Sequence, residues 1–233
     1  MVLIQNQNKQ KSNNNKKWIK KVGIIMLKKI KPIGVYRKCD WVTMTGTASA
    51  IFGIILASNG KTMYAIFALI FSAICDAFDG VVARKFKSLK DYEVYGIELD
   101  SLNDAIAFGV LPMMIVKNMS YNNIYTTIIS IFFCITGVIR LAYFNMLSTT
   151  KKSNGKEFIG MPITCSAIII PLVYFITFLV GKNYRNIIFP ITLLITGILF
   201  ITPIKLKKLS TREKVMLSII GILAIIITII KIW

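Results

Sequence analysis

The sequence predicts an all-α, polytopic membrane helix bundle of about 6–8 transmembrane helices, led by an N-terminal interfacial amphipathic helix. Three observations carry this. The 233 residues are 55% hydrophobic and only 17% charged, whereas a soluble domain is typically about a quarter charged. Apolar runs long enough to cross a bilayer recur almost to the C-terminus. The Lys and Arg residues, finally, fall between those runs in a one-sided pattern.

Residues 5–17 are Asn, Gln, Lys and Ser, too polar to pack, and are expected to be disordered. In WIKKVGIIMLKKIK (18–31), Trp18, Ile19, Val22, Ile25, Met26 and Ile30 fall near one helical face, with Lys20, Lys21, Lys28 and Lys31 largely on the other. That is the pattern of a helix lying on a membrane of anionic lipids, and Pro32 ends it. The expected division is therefore 1–40, a basic cytoplasmic tail and interfacial helix, and 41–233, a transmembrane domain. Spans are expected at 41–59, 62–83, 97–116, 123–146, 160–180, 187–204 and 215–230.

With the N-terminus in the cytoplasm, 23 of the 29 Lys and Arg fall inside and 5 outside, leaving Arg140 within the fourth span. This positive-inside asymmetry sets the orientation in the cell membrane. It also accounts for the net charge of +19 without a nucleic-acid partner, which would want a basic soluble face with stacking aromatics. There is no histidine, which excludes Ser-His-Asp and Cys-His catalysis and His-ligated zinc. Cys39, Cys75, Cys134 and Cys165 are widely separated, read as small packing residues, and support neither a zinc site nor a disulfide framework.

Seven of the ten acidic residues lie between positions 76 and 104, and Asp76, Asp79, Asp100 and Asp104 sit at or inside apolar spans. An intramembrane carboxylate is costly, so each marks a candidate functional site. On a helix Asp76 and Asp79 are about 60° apart, and Asp100 and Asp104 about 40° apart. A short cytoplasmic loop over 85–95 makes the two helices antiparallel neighbours, with the first pair in the last turns of one and the second in the first turns of the next. Four anions at one depth repel one another, and divalent cations relieve this. An all-oxygen donor set favours Mg²⁺, Mn²⁺ or Ca²⁺. Two such ions would balance four charges and suit phosphoryl displacement. Gly80, Ala83 and Gly96 leave room for a phosphate ester, Arg84 stands where phosphate or headgroups pass, and the buried Arg140 is expected to pair with an acid or phosphate. An ion transporter is the alternative from another class, but its acids usually lie at the midplane of repeated halves, and no repeat is visible here.

The stretches Asp76-Ala-Phe-Asp79-Gly80-Val-Val-Ala83-Arg84 and Gly96-Ile-Glu-Leu-Asp100-Ser-Leu-Asn-Asp104 resemble the signature of the CDP-alcohol phosphatidyltransferases, D-x2-D-G-x2-A-R followed by G-x3-D-x3-D. DSLNDAIAFGVLP, IRLAYFN (139–145) and FIGMPI (158–163) resemble its phosphatidylserine synthase branch. The interval between Arg84 and Gly96 is longer than usual in the family, and Tyr143 stands where that branch commonly has a second arginine. The resemblance implies that Asp76, Asp79, Asp100 and Asp104 hold two divalent metals, Mg²⁺ or Mn²⁺, with Asp104 also the general base. It implies that Gly80, Ala83 and Arg84 flank the CDP moiety and that Thr43 contacts the nucleotide. The implied substrates are CDP-diacylglycerol and L-serine, with another alcohol such as glycerol 3-phosphate or an inositol compound as the alternative acceptor. A homodimer is implied as well.

Overall fold

The computed structural model describes residues 34, 37–85, 90–120, 123–149, 157–181 and 184–207. The chain divides between Val35 and Tyr36, and every described helix lies in the second part. In order these are α1 (Lys38–Ser58), α2 (Thr62–Lys85), α3 (Lys90–Asp104), a π-helical segment (Ala105–Val110), α4 (Leu111–Met119), α5 (Ile124–Thr149), α6 (Ser166–Val180) and α7 (Arg185–Ile201). Two three-residue strands, β1 (Glu157–Ile159) and β2 (Lys205–Lys207), pair antiparallel with Phe158 opposite Leu206.

Among the described residues, four helical stretches are long and apolar enough to cross a membrane: Cys39–Ser58, Thr62–Val82, Val94–Met119 and Ile124–Leu147. Ile163–Phe178 and Arg185–Ile201 are shorter apolar helices. The chain is a multi-pass membrane protein built as a helical bundle. Its outer surface agrees: Phe52, Ile128 and Ile187 are 57–61% exposed, while Ser72, Ser166 and Thr177 are fully buried. Apolar side chains out and hydroxyls in is the arrangement lipid demands, because a polar group has no partner among acyl chains.

Several boundaries differ from expectation. The first helix starts at Lys38, three residues early, because the Arg37 guanidinium and backbone N–H both donate to Asp40 and close its first turn. The expected loop over 85–95 is largely helical, since α3 already begins at Lys90. The sixth span stops at Ile201, and the chain then turns into β2. The amphipathic segment 18–31 and the span 215–230 lie outside the described residues. The four cysteines are free thiols, and none is more than partly exposed.

α1 and α2 form the most extensive helix pair. Gly60, at φ +76°, makes the turn between them. Ser49 donates to the Ala68 carbonyl at 3.1 Å and Ser72 to the Gly46 carbonyl at 3.0 Å. Such close approach needs glycine. A Cβ on Gly53 would stand 2.8 Å from Ala68 Cβ and 3.0 Å from a Leu111 methyl. Gly53→Val should therefore force α1 away from both neighbours and destabilise the fold by about 1–3 kcal/mol, measurable as a lowered unfolding midpoint in detergent; an unchanged midpoint would contradict this packing.

The π-helical segment directly follows Asp104. Pro112 has no N–H to offer the Phe108 carbonyl four residues earlier. The fully buried Ser166 hydroxyl donates to that carbonyl at 2.9 Å, tying the segment to α6. Phe108, Leu111 and Ile115 thereby join Leu69, Phe133 and Phe189 in one apolar core beneath the acids.

Candidate metal centre

Asp76 lies nine residues before the end of α2, and Asp100 ten residues after the start of α3. At 1.5 Å per residue both stand about 14–15 Å along their helices from those ends. The second pair is thus deeper than the first turns of its helix, because α3 begins earlier than expected. The two displacements match, so the acids still meet at one depth. One carboxylate oxygen from each of Asp76, Asp79 and Asp100 lies within 4.8 Å of the other two.

Asp104 is not part of that close group, yet it belongs to the same electrostatic cluster: it is 8% exposed and feels the charges of Asp76, Asp100 and Asp79. One of its oxygens, Oδ1, is buried with no hydrogen-bond donor among the described residues. Arg140, also 8% exposed, lies in attractive range of Asp104 and stacks over the Phe144 ring at 5.0 Å. Asp76, Asp79 and Asp100 gather three carboxylates in one place, and Asp104 adds a fourth to the same field. The donors are all oxygen, and buried charge of this kind is stable only when compensated. The residues present fit a hard divalent cation.

The remaining expected site residues are placed as follows. The Thr43 hydroxyl donates to Asp79 Oδ2 at 2.6 Å, so it is engaged in orienting a carboxylate. A Cβ on Gly80 would meet nothing within 4 Å, which leaves open space one residue from Asp79. Gly96 is different: a Cβ there would collide with the Arg37 guanidinium, so in this conformation an arginine fills the space that glycine leaves. Ala83 and Arg84 lie in the last turn of α2.

Other residues came to light only in three dimensions. Ser101 donates to Asn145 Oδ1 at 3.0 Å, joining the acid-bearing α3 to the end of α5. Thr47 contacts Asn103, beside Asp104, at 2.7 Å. The recurrence of threonine at 43 and 47, one helical turn apart, was the available signal for the latter, but nothing in the sequence says which neighbour that face meets.

A helical bundle with carboxylates converging inside its apolar span defines a multi-pass membrane protein with an oxygen-only candidate metal centre. Comparison with known proteins makes this specific. The profile of the CDP-alcohol phosphatidyltransferase family matches residues 39–230, and the chain belongs to that family of enzymes. It is similar to the CDP-diacylglycerol–serine O-phosphatidyltransferase of Methanocaldococcus jannaschii, 36% identical over 174 residues covering 74% of this chain and 75% of the relative. The protein of the same name from Helicobacter pylori is 34% identical over 193 residues, covering 77% and 78%. The archaetidylserine synthase of Methanothermobacter thermautotrophicus is 31% identical over 136 residues, covering 58% and 56%.

Proposed function

We propose that this enzyme transfers the phosphatidyl group of CDP-diacylglycerol to L-serine, releasing CMP, at the cytoplasmic face of the cell membrane. The observation that carries the reading is the convergence of Asp76, Asp79 and Asp100 within 4.8 Å, with Asp104 and Arg140 beside them. Support for serine as acceptor comes from the relatives, whose names specify a serine product or acceptor. The strong excess of Lys and Arg in the segments assigned to the interior supports the orientation. Dimerisation belongs to the same proposal.

In this reading Asp76, Asp79 and Asp100 hold Mg²⁺ or Mn²⁺, and Asp104 contributes to the same site. Divalent ions bound there would neutralise the diphosphate and the departing CMP phosphate. The protein's own part is positioning and proton handling. Thr43 fixes Asp79 through its hydrogen bond. The open side of Gly80 admits the phosphate chain. Asp104 stands outside the close group of three, so its buried Oδ1 is suited to receive the proton of the attacking hydroxyl. The serine oxygen forms a bond to the phosphorus bearing diacylglycerol as the bond from that phosphorus to the CMP oxygen breaks. Arg140, in attractive range of Asp104, helps hold that carboxylate in place.

The test supplies CDP-diacylglycerol with labelled serine, glycerol 3-phosphate or inositol phosphate in separate reactions. Label is expected in lipid with serine alone, matched by CMP release. Incorporation of glycerol 3-phosphate or inositol phosphate instead would keep the family chemistry and discard serine.

A further inference from the structure

Thr43 and Thr47 stand one turn apart on α1, and each reaches a different acid-bearing helix. Thr43 donates to Asp79 on α2. Thr47 Oγ1 is 2.7 Å from Asn103 Oδ1 on α3 and 3.0 Å from the Thr43 carbonyl. A hydroxyl has one proton and cannot donate to both acceptors. Meanwhile Asn103, 2% exposed, has its Nδ2 buried with no hydrogen-bond acceptor among the described residues. Turning the amide by half a rotation removes the double demand on the Thr47 proton and gives Nδ2 an acceptor, leaving the carbonyl oxygen, the less demanding end, in the other buried position. Asn103 Nδ2 then donates to Thr47 Oγ1, and Thr47 donates its single proton to the Thr43 carbonyl.

We propose that Asn103 and Thr47 are positioning residues for the carboxylate site, their hydrogen bond setting the rotation of α3 about its axis so that Asp100 and Asp104 turn toward Asp76 and Asp79. Asn103 is about 60° from Asp100 and about 100° from Asp104 on the helix, so the face it presents to α1 is distinct from the face that carries the acids. A carboxylate lying about 6 Å from the axis moves roughly 2 Å for each 20° of rotation. That is a large displacement for oxygens gathered within 4.8 Å. The regular helix also ends one residue later, where the π-helical segment begins at Ala105. The tie at Asn103 thus sits at the junction of the two helical geometries, on the side of α3 that meets α1.

This inference rests on the acids being metal ligands, and its test separates the two. The full chain, purified in detergent and stripped with EDTA, is titrated with Mn²⁺ alone and followed by electron paramagnetic resonance. Asn103→Ala and Thr47→Val should each weaken Mn²⁺ binding at least about tenfold. The double variant should bind no more weakly than the single ones, because they remove the same bond, and Thr47→Ser should retain wild-type affinity. The Mn²⁺ concentration for half-maximal turnover should rise in parallel, with the rate at saturating Mn²⁺ reduced less than about threefold. Thr47→Val barely changes volume, so it carries the test if Asn103→Ala fails to fold. Wild-type Mn²⁺ affinity in both single variants, or losses that add in the double, overturns the proposal whatever happens to the unfolding temperature. If Asp79→Asn abolishes Mn²⁺ binding while these variants keep it, this inference alone falls. If the wild-type chain binds no Mn²⁺, the reading of the acids falls with it.

Discussion

Asp79→Asn and Asp100→Asn are each expected to lower turnover by about three orders of magnitude while leaving the protein folded and inserted. Asparagine keeps the shape but removes one negative charge from a group whose oxygens lie within 4.8 Å. In the metal-free protein this relieves repulsion among like charges, so the unfolding temperature in EDTA should hold or rise. With metal the sign reverses. A ligand that binds only the folded state stabilises it according to its concentration relative to its dissociation constant. Mn²⁺ should therefore raise the unfolding temperature of the wild-type chain and leave that of either variant unmoved. Thermal scans with and without Mn²⁺, alongside CMP release, check both halves. Full activity in either variant contradicts the assignment of these carboxylates.

The second large effect is expected from metal removal. EDTA should abolish CMP release, Mg²⁺ or Mn²⁺ should restore it, and Zn²⁺ alone should not. Zinc favours nitrogen and sulfur in tetrahedral sites, and the chain has no histidine. Cys75 adjoins Asp76 in sequence, but its Cβ packs toward α1, where a Cβ on Gly46 would come within 3.1 Å of it. What remains is oxygen, which suits ions that accept six or more hard donors. Undiminished turnover in EDTA, or recovery with zinc alone, would contradict an oxygen-ligated centre.

The membrane architecture was legible because each contributing property is local. An apolar run of bilayer length is a helix wherever its neighbours lie, and hydropathy along the chain found the four long spans present among the described residues. The pairing of the acids was nearly as accessible. Asp76 with Asp79 and Asp100 with Asp104 follow from helical spacing, and a short connection forces adjacent helices together. Helix ends were less accessible. The capping contact that starts α1 at Lys38 involves Arg37 and Asp40, which resembled an ordinary basic tail. The segment FKSLKDYEVY looked like loop because its charges mask a helix that already begins at Lys90.

The roles of Gly96 and Thr43 illustrate a different boundary. Glycine beside an acid is open space in a one-dimensional reading; in the folded protein the Arg37 guanidinium stands there. Thr43, implied by resemblance as a nucleotide contact, has its hydroxyl on Asp79. Likewise, the requirement for Ser166 at the Phe108 carbonyl joins positions 58 residues apart. No periodicity connects them.

Residue order alone therefore established that this chain lives in a bilayer and carries a cluster of carboxylates, because hydrophobic length and helical phase depend on neighbours a few positions away. Which side chains orient those carboxylates, how deep they lie, and which of the four stands apart from the other three depended on helix rotation and packing. Those are set by contacts between distant segments, and they exist only once the bundle has closed.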